Sequence, residues 1–124
     1  MKQTTPRPVE IKLLQTSRLM QLRFEDGRSF ELSCELLRVY SPSAEVRGHG
    51  PGQGVLQTGK EQVNITTIEP AGNYGVRLHF DDGHNTGIYS WDYLYDMGLR
   101  RDALWNEYVA ALERAGIQRA THEP

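Results

Sequence analysis

A chain of 124 residues and 14.1 kDa is one domain's worth of polypeptide. Its 14 basic and 16 acidic residues leave a formal net charge of -2, which does not favour a general grip on nucleic acid, and no run approaches the ~20 apolar residues of a membrane span. A lone cysteine, Cys34, excludes an internal disulfide and any multi-cysteine zinc or iron–sulfur site within one chain. The amino terminus lacks the apolar stretch of a secretory signal, so the expected compartment is the cytoplasm.

Residues 1–8, with Pro6 and Pro8, read as a loose lead. Val9, Ile11 and Leu13 alternate with Glu10 and Lys12, and Met20, Leu22 and Phe24 alternate with Gln21 and Arg23, which predicts two strands. Glu25-Asp26-Gly27 then turns the chain. A three-residue loop with Gly27 left-handed sets Leu22 against Phe30 and Met20 against Leu32, apolar against apolar, whereas a two-residue loop leaves the faces out of register. Ser33 caps a short helix through Val39, bounded by Pro42. Residues 41–54, with glycine at 48, 50, 52 and 54, read as a loop. Val63 to Ile68 is β-branched and strand-like, Pro70 to Asn73 is a turn cluster, and Tyr74 to Phe80 is the next strand. Asp81-Asp82-Gly83 repeats the earlier turn; the same register sets Phe80 against His84, Leu78 against Thr86 and Val76 against Ile88. Ser90 caps a helix from Trp91 to Met97, closed by Gly98. The last helix runs from about Asp102 to Ala115, with Leu104, Trp105, Tyr108, Val109 and Leu112 as its apolar stripe and Gly116 as its end.

Leu22 to Leu37 resembles Leu78 to Leu94, with one extra residue before Ser90. Each segment is strand, Asp-Gly turn, strand and capped helical turn. The predicted fold is therefore α+β: two similar β-hairpin-plus-short-helix units forming a mainly antiparallel sheet, covered by a C-terminal helix. One domain spans 9–116, with flexible tails at 1–8 and 117–124.

The chemistry-bearing residues are few. Cys34 opens a helix, where a thiol pKa can be lowered, but the apolar residues after it favour a buried structural thiol. Ser41 and Ser43 flank Pro42 as turn residues, and no Gly-x-Ser-x-Gly elbow exists. The glycine-rich loop lacks the Gly-Lys ending of a P-loop; it reads as a surface loop to which Arg47 and His49 add a cation and a ligand-capable ring. His79-Phe80-Asp81, with His122, spells a facial triad on paper, but strand alternation and the position of His122 oppose it. His84 follows the second Asp-Gly turn within reach of Asp82 and Asp92, either as a hydrogen-bonded structural histidine or as a ligand. Tyr93 and Tyr95 lie two residues apart on one short helix, so at least one ring is expected at the surface, where it suits a protein contact.

The run from Glu35 to Gly50, and Asn73 to Leu94 with its Asp-Gly-His-x-x-Gly-x-Tyr-x-Trp-x-x-Leu stretch, resembles the gamma-butyrobetaine-hydroxylase-like N-terminal domain family, over most of residues 10–98. The resemblance implies a small bacterial stand-alone member of unknown function. The same domain precedes the oxygenase domain of carnitine-pathway hydroxylases and is fused to Mrp-type iron–sulfur scaffold ATPases in plants. In the hydroxylases it resembles a zinc module of three cysteines and one histidine. The matching cysteine positions here are Ser41, Ser43 and Val46, and only the histidine is kept, as His84. The resemblance thus supports the fold and disfavours that zinc site. It lends no hydroxylase activity, because the oxygenase domain is absent.

The expected function is a non-catalytic cytoplasmic adaptor for a protein partner, in iron–sulfur or metal handling. The alternative is a non-thiolate site for iron or another metal at His84 and His49. Last stands an accessory domain for a small-molecule enzyme. No nucleic acid, membrane or catalytic residue is implicated. The expected contact residues are Arg47, His49, Asp82, His84, Trp91, Asp92, Tyr93 and Tyr95.

Overall fold

The structure, a computed structural model, describes residues 5–47 and 54–119. Ten elements follow in chain order: β1 (Pro8–Leu14), β2 (Leu19–Phe24), β3 (Ser29–Ser33), α1 (Cys34–Val39), α2 (Ala44–Arg47), β4 (Ile65–Ala71), β5 (Gly75–Phe80), β6 (Ile88–Ser90), α3 (Trp91–Leu99) and α4 (Arg101–Arg114). The fold is α+β with two similar units, and all strand pairings are antiparallel. The strands divide into two three-stranded sheets, β1-β2-β3 and β4-β5-β6. Their inner faces meet in one cluster. Met20, Leu22, Phe24 and Leu32 come from the first sheet, Ile65, Val76, Leu78, Phe80 and Tyr89 from the second, and Leu36, Leu37, Leu94, Met97 and Leu104 from the helices. Full burial of each such side chain contributes roughly 1.5–3 kcal/mol.

The two units match in detail beyond their sequence likeness. Each opens with an irregular pairing, between Pro8 and Glu10 in β1 and between Ile65 and Thr67 in β4. Each turn closes with the same pair of bonds: Phe24 N–H to Arg28 O and Gly27 N–H to Phe24 O, then Phe80 N–H to His84 O and Gly83 N–H to Phe80 O. Gly27 and Gly83 take φ of 91° and 92°, the left-handed conformation the three-residue loop requires. Ser33 Oγ accepts from Leu36 N–H, and Ser90 Oγ from Tyr93 N–H. The first helical N–H of each unit goes to the residue just before its middle strand, Cys34 to Arg18 and Trp91 to Tyr74, both at 2.9 Å.

The first hairpin has the expected register, Met20 opposite Leu32 and Leu22 opposite Phe30. The second does not: Val76 faces Tyr89 rather than Ile88. The extra residue before Ser90 is taken up at 84–87, which form no strand. That shift turns Tyr89 wholly into the core and leaves Ile88 37% exposed. Pro70 and Ala71 continue β4 instead of turning, tolerable because β4 is an edge strand where a missing N–H breaks no second ladder. Within the expected loop, Ala44–Arg47 forms one helical turn. Gly98 lies inside α3 because a Cβ there would overlap the Phe30 ring. Residues 117–119, expected as tail, return to the body: Ile117 N–H bonds Leu112 O and Arg119 pairs with Glu35. Among the described residues no helix is long and apolar enough to cross a membrane.

Candidate functional site

The seam between the end of α1 and the β5–β6 connection gathers the polar residues that the sequence singled out. Ser43 starts α2: its carbonyl accepts from Val46 and Arg47 N–H, and its Oγ from Glu45 N–H. This turn sets Glu45 beside the imidazole of His84, which the preceding Asp-Gly turn delivers and which Asp82 fixes by accepting the His84 N–H at 3.1 Å. His84 Nε2 lies 2.8 Å from Ser41 Oγ, and Nδ1 3.5 Å from Glu45 Oε2. Ser43 Oγ and Thr86 Oγ1 are 2.7 Å apart, and Thr86 donates to Glu45 Oε1. Ser41 Oγ accepts from Ser43 N–H and also meets the Tyr89 hydroxyl; because a carboxylate can only accept, Glu45 favours the imidazole proton on Nδ1. A Cβ on Gly87 would overlap Ser41 Oγ, so the seam closes only over glycine.

A second network braces it. Arg38, the one charged residue between Leu37 and Val39, donates to Asp82 Oδ2 at 2.8 Å and to Gln57 Oε1 at 3.0 Å, and Lys60 reaches the same Asp82 oxygen at 2.8 Å. Burial alone raises the Asp82 carboxyl; the Lys60 ammonium, the His84 N–H and the Arg38 guanidinium outweigh it and hold its pKa at about 2. His84 moves the other way from its usual value. Burial lowers it and the Arg38 charge lowers it further, against smaller opposing pulls from Glu45 and Asp82, so neutral imidazole is favoured. Among the described residues no buried side-chain nitrogen or oxygen lacks a partner.

Ser41, His84 and Glu45 stand in the order of nucleophile, base and orienting carboxylate. Ser41 has no exposed surface, however, so no carbonyl carbon can approach its Oγ in this structure. The zinc that the resemblance implies in the hydroxylases does not fit either. Two neutral hydroxyls, already hydrogen-bonded, and the hydrocarbon of Val46 replace three thiolates. Among the described residues no group of three His, Cys, Asp or Glu side chains is placed to hold a metal ion. His49 and His122 lie outside the described residues, and His79 bonds Glu69 Oε1 at 2.8 Å, away from the seam.

The remaining expected contact residues do not form one surface. Asp82 and His84 belong to the seam. Trp91 is half-buried, its indole N–H given to Asn73 O, and Asp92 is exposed in the first turn of α3. Tyr93 and Tyr95 are both partly buried, because each packs one edge of its ring along a flank of α3. Tyr95 stands edge-on to Phe24 and Phe30 and donates to Asp26; Tyr93 packs on Tyr89 and donates to Tyr40 O. Among the described residues the exposed aromatic is Tyr74, 55% accessible. Arg47 lies over the Tyr93 ring, 5.9 Å from its centroid, at the lip of a groove of about 590 Å³ between α3, α4 and residues 54–57. Sequence reasoning missed Ser41, Ser43 and Arg38 as members of a network. The signal for Arg38 was a charge inside an otherwise apolar helical turn.

The family profile described as gamma-butyrobetaine hydroxylase-like, N-terminal, matches residues 11–95. Two NMR solution structures of proteins resemble the chain throughout. One is 45% identical with a TM-score of 0.82, covering 98% of this chain and 95% of that one. The other is 48% identical with a TM-score of 0.80, covering 97% and 95%. A crystal structure of a protein of unknown function of the DUF971 family from Acidithiobacillus ferrooxidans is 42% identical over 73% of this chain and 91% of that one, with a TM-score of 0.63. No curated protein matches the chain. With more than half its length matched by the profile and two relatives alike almost end to end, the chain belongs to the gamma-butyrobetaine hydroxylase-like N-terminal domain family.

Proposed function

We propose that the chain is a non-catalytic cytoplasmic binding module that recruits a protein partner, in the setting of iron–sulfur or metal handling. The observation that carries the binding role is the groove beside α4. It combines an apolar floor, two adjacent exposed aliphatic side chains, Val55 and Leu56, and the aromatic-seated Arg47. The polar residues that would otherwise suggest chemistry are bonded to one another, so His84 and Asp82 support the fold that presents the groove. The metal-handling setting is analogy, drawn from the fusion partners that the family resemblance brings.

Two measurements on the full chain test this reading. Elemental analysis of untagged protein purified without chelator is expected to show no stoichiometric metal, in wild type and in His84→Ala alike; iron or zinc lost in the variant would make the chain a metalloprotein. In-cell cross-linking with mass spectrometry, followed by calorimetry with the purified partner, is expected to return a saturable one-to-one complex. Its absence for every cross-linked candidate would refute the module.

A further inference from the structure

We propose that the groove between α3, α4 and residues 54–57 takes a short acidic segment of the partner that carries aliphatic side chains, a proposal that rests on the binding-module reading. Val46, Met97 and Leu104 are buried along the floor, and Val55 and Leu56 stand 57% and 37% exposed at the edge. Aliphatic side chains of a bound segment would cover them and remove that area from water.

The backbone offers a second handle. Residues 54–58 form neither helix nor strand, and among them only Val55 N–H has a backbone partner among the described residues, Val46 O at 2.8 Å. In an extended segment the next N–H points to the opposite side, so the Leu56 N–H, with no partner among the described residues, is the one left for a carbonyl of a bound chain.

Charge selects the sign of the occupant. Asp96 and Arg100 close on each other at 3.0 Å. Arg47 and Arg114 also line the groove, and neither has an ion-pair partner among the described residues; Glu107 is the one other carboxylate lining it. The groove is thus left cationic on a chain of net charge -2. Arg47, seated over Tyr93, is held ready for a carboxylate, which lessens the ordering cost of binding. A basic segment would meet like charge here, and a flat bilayer does not enter a concave groove.

The test uses three fluorescein-labelled peptides of equal length, alternating leucine with aspartate, serine or lysine, titrated against the full chain by anisotropy. The Leu/Asp peptide is expected to bind about tenfold tighter than Leu/Ser, with Leu/Lys weakest, and its advantage to shrink as salt rises. The exposed double variant Arg47→Glu/Arg114→Glu should invert the order in a chain that stays folded by circular dichroism, and Leu56→Asp should weaken the Leu/Asp and Leu/Ser peptides. Equal binding of the three peptides, or an order untouched by the double variant, overturns the proposal. A Leu56-dependent dimer in light scattering would assign the groove to a second copy and overturn it as well. A cross-linked partner whose affinity ignores both Arg47→Glu and Leu56→Asp would refute the groove while the module reading stands.

Discussion

Arg38 belongs to a six-residue helix in which every residue is buried. A guanidinium there costs several kcal/mol unless it is paired, and Asp82 supplies the pairing across the two units. Arg38→Ala is expected to lower stability by about 2 kcal/mol in urea unfolding, less than for a sealed ion pair, because Asp82 is a quarter exposed and keeps Lys60. The same carboxylate gives a pH signature. Its folded pKa of about 2 lies below the ordinary 3.8, so its contribution is complete above 3.8 and is lost as pH falls toward 2. His84 is also lowered in the folded state, from 6.5, so it too stabilises above its ordinary value, and its contribution fades as pH falls below it. A melting-temperature series should show both windows in wild type. The upper one should shrink in His84→Gln, whereas a series unchanged by that variant would contradict the burial of a neutral imidazole. His84 as a hydrogen-bonded residue was legible from its place after an Asp-Gly turn. Its partners were not, since nothing local says that Ser41, 43 residues earlier in the chain, returns to meet it.

At the scale of elements, the hairpin turns, both serine caps and the first register follow from nearest-neighbour chemistry, and the sequence states them openly. What it concealed depends on contacts between elements. Two turns, at Gly27 and Gly83, share one backbone geometry with open space where a Cβ would go. Gly27→Ala and Gly83→Ala should therefore each cost about 1–2 kcal/mol, from left-handed backbone strain alone and nearly equally. Chemical denaturation compares them, and a large difference would show that the turns are not equivalent. The units also make one close approach twice, with different chemistry. Ser41 fits against Gly87 and Phe30 against Gly98, so the second unit closes on a hydrogen-bonded seam and the first on an aromatic cluster with Phe24 and Tyr95. The reciprocal contacts, Arg38 on Asp82 and Tyr95 on Asp26, likewise pair each helix with the opposite unit's turn. That exchange explains why Tyr93 and Tyr95 can both be packed: a helix set between two units has two inner flanks, which a one-sheet expectation did not provide.

Across the whole molecule, the chain end fastens the last helix to the first. Glu35 on α1 is 5% exposed; Tyr108 donates to it at 2.7 Å from α4, and the guanidinium of Arg119 binds both its oxygens while lying 4.9 Å over the Trp105 ring. Arg119→Ala would leave the buried Glu35 carboxylate its Tyr108 hydroxyl but no cation, and a loss of about 2 kcal/mol is expected, read as a lower urea midpoint. A change within experimental error would mean the C-terminal segment does not dock in solution. Because both sheets share a single core cluster, wild type and variant should each unfold in one transition.

Cys34 has no accessible surface, and its thiol is pushed up from the ordinary range chiefly by that burial. The lone cysteine is therefore a native clock for opening. An alkylating reagent can reach its sulfur only when the interface between α1 and the sheets parts, so the labelling rate in plain buffer measures how often the folded chain lets go, with no denaturant and no added probe.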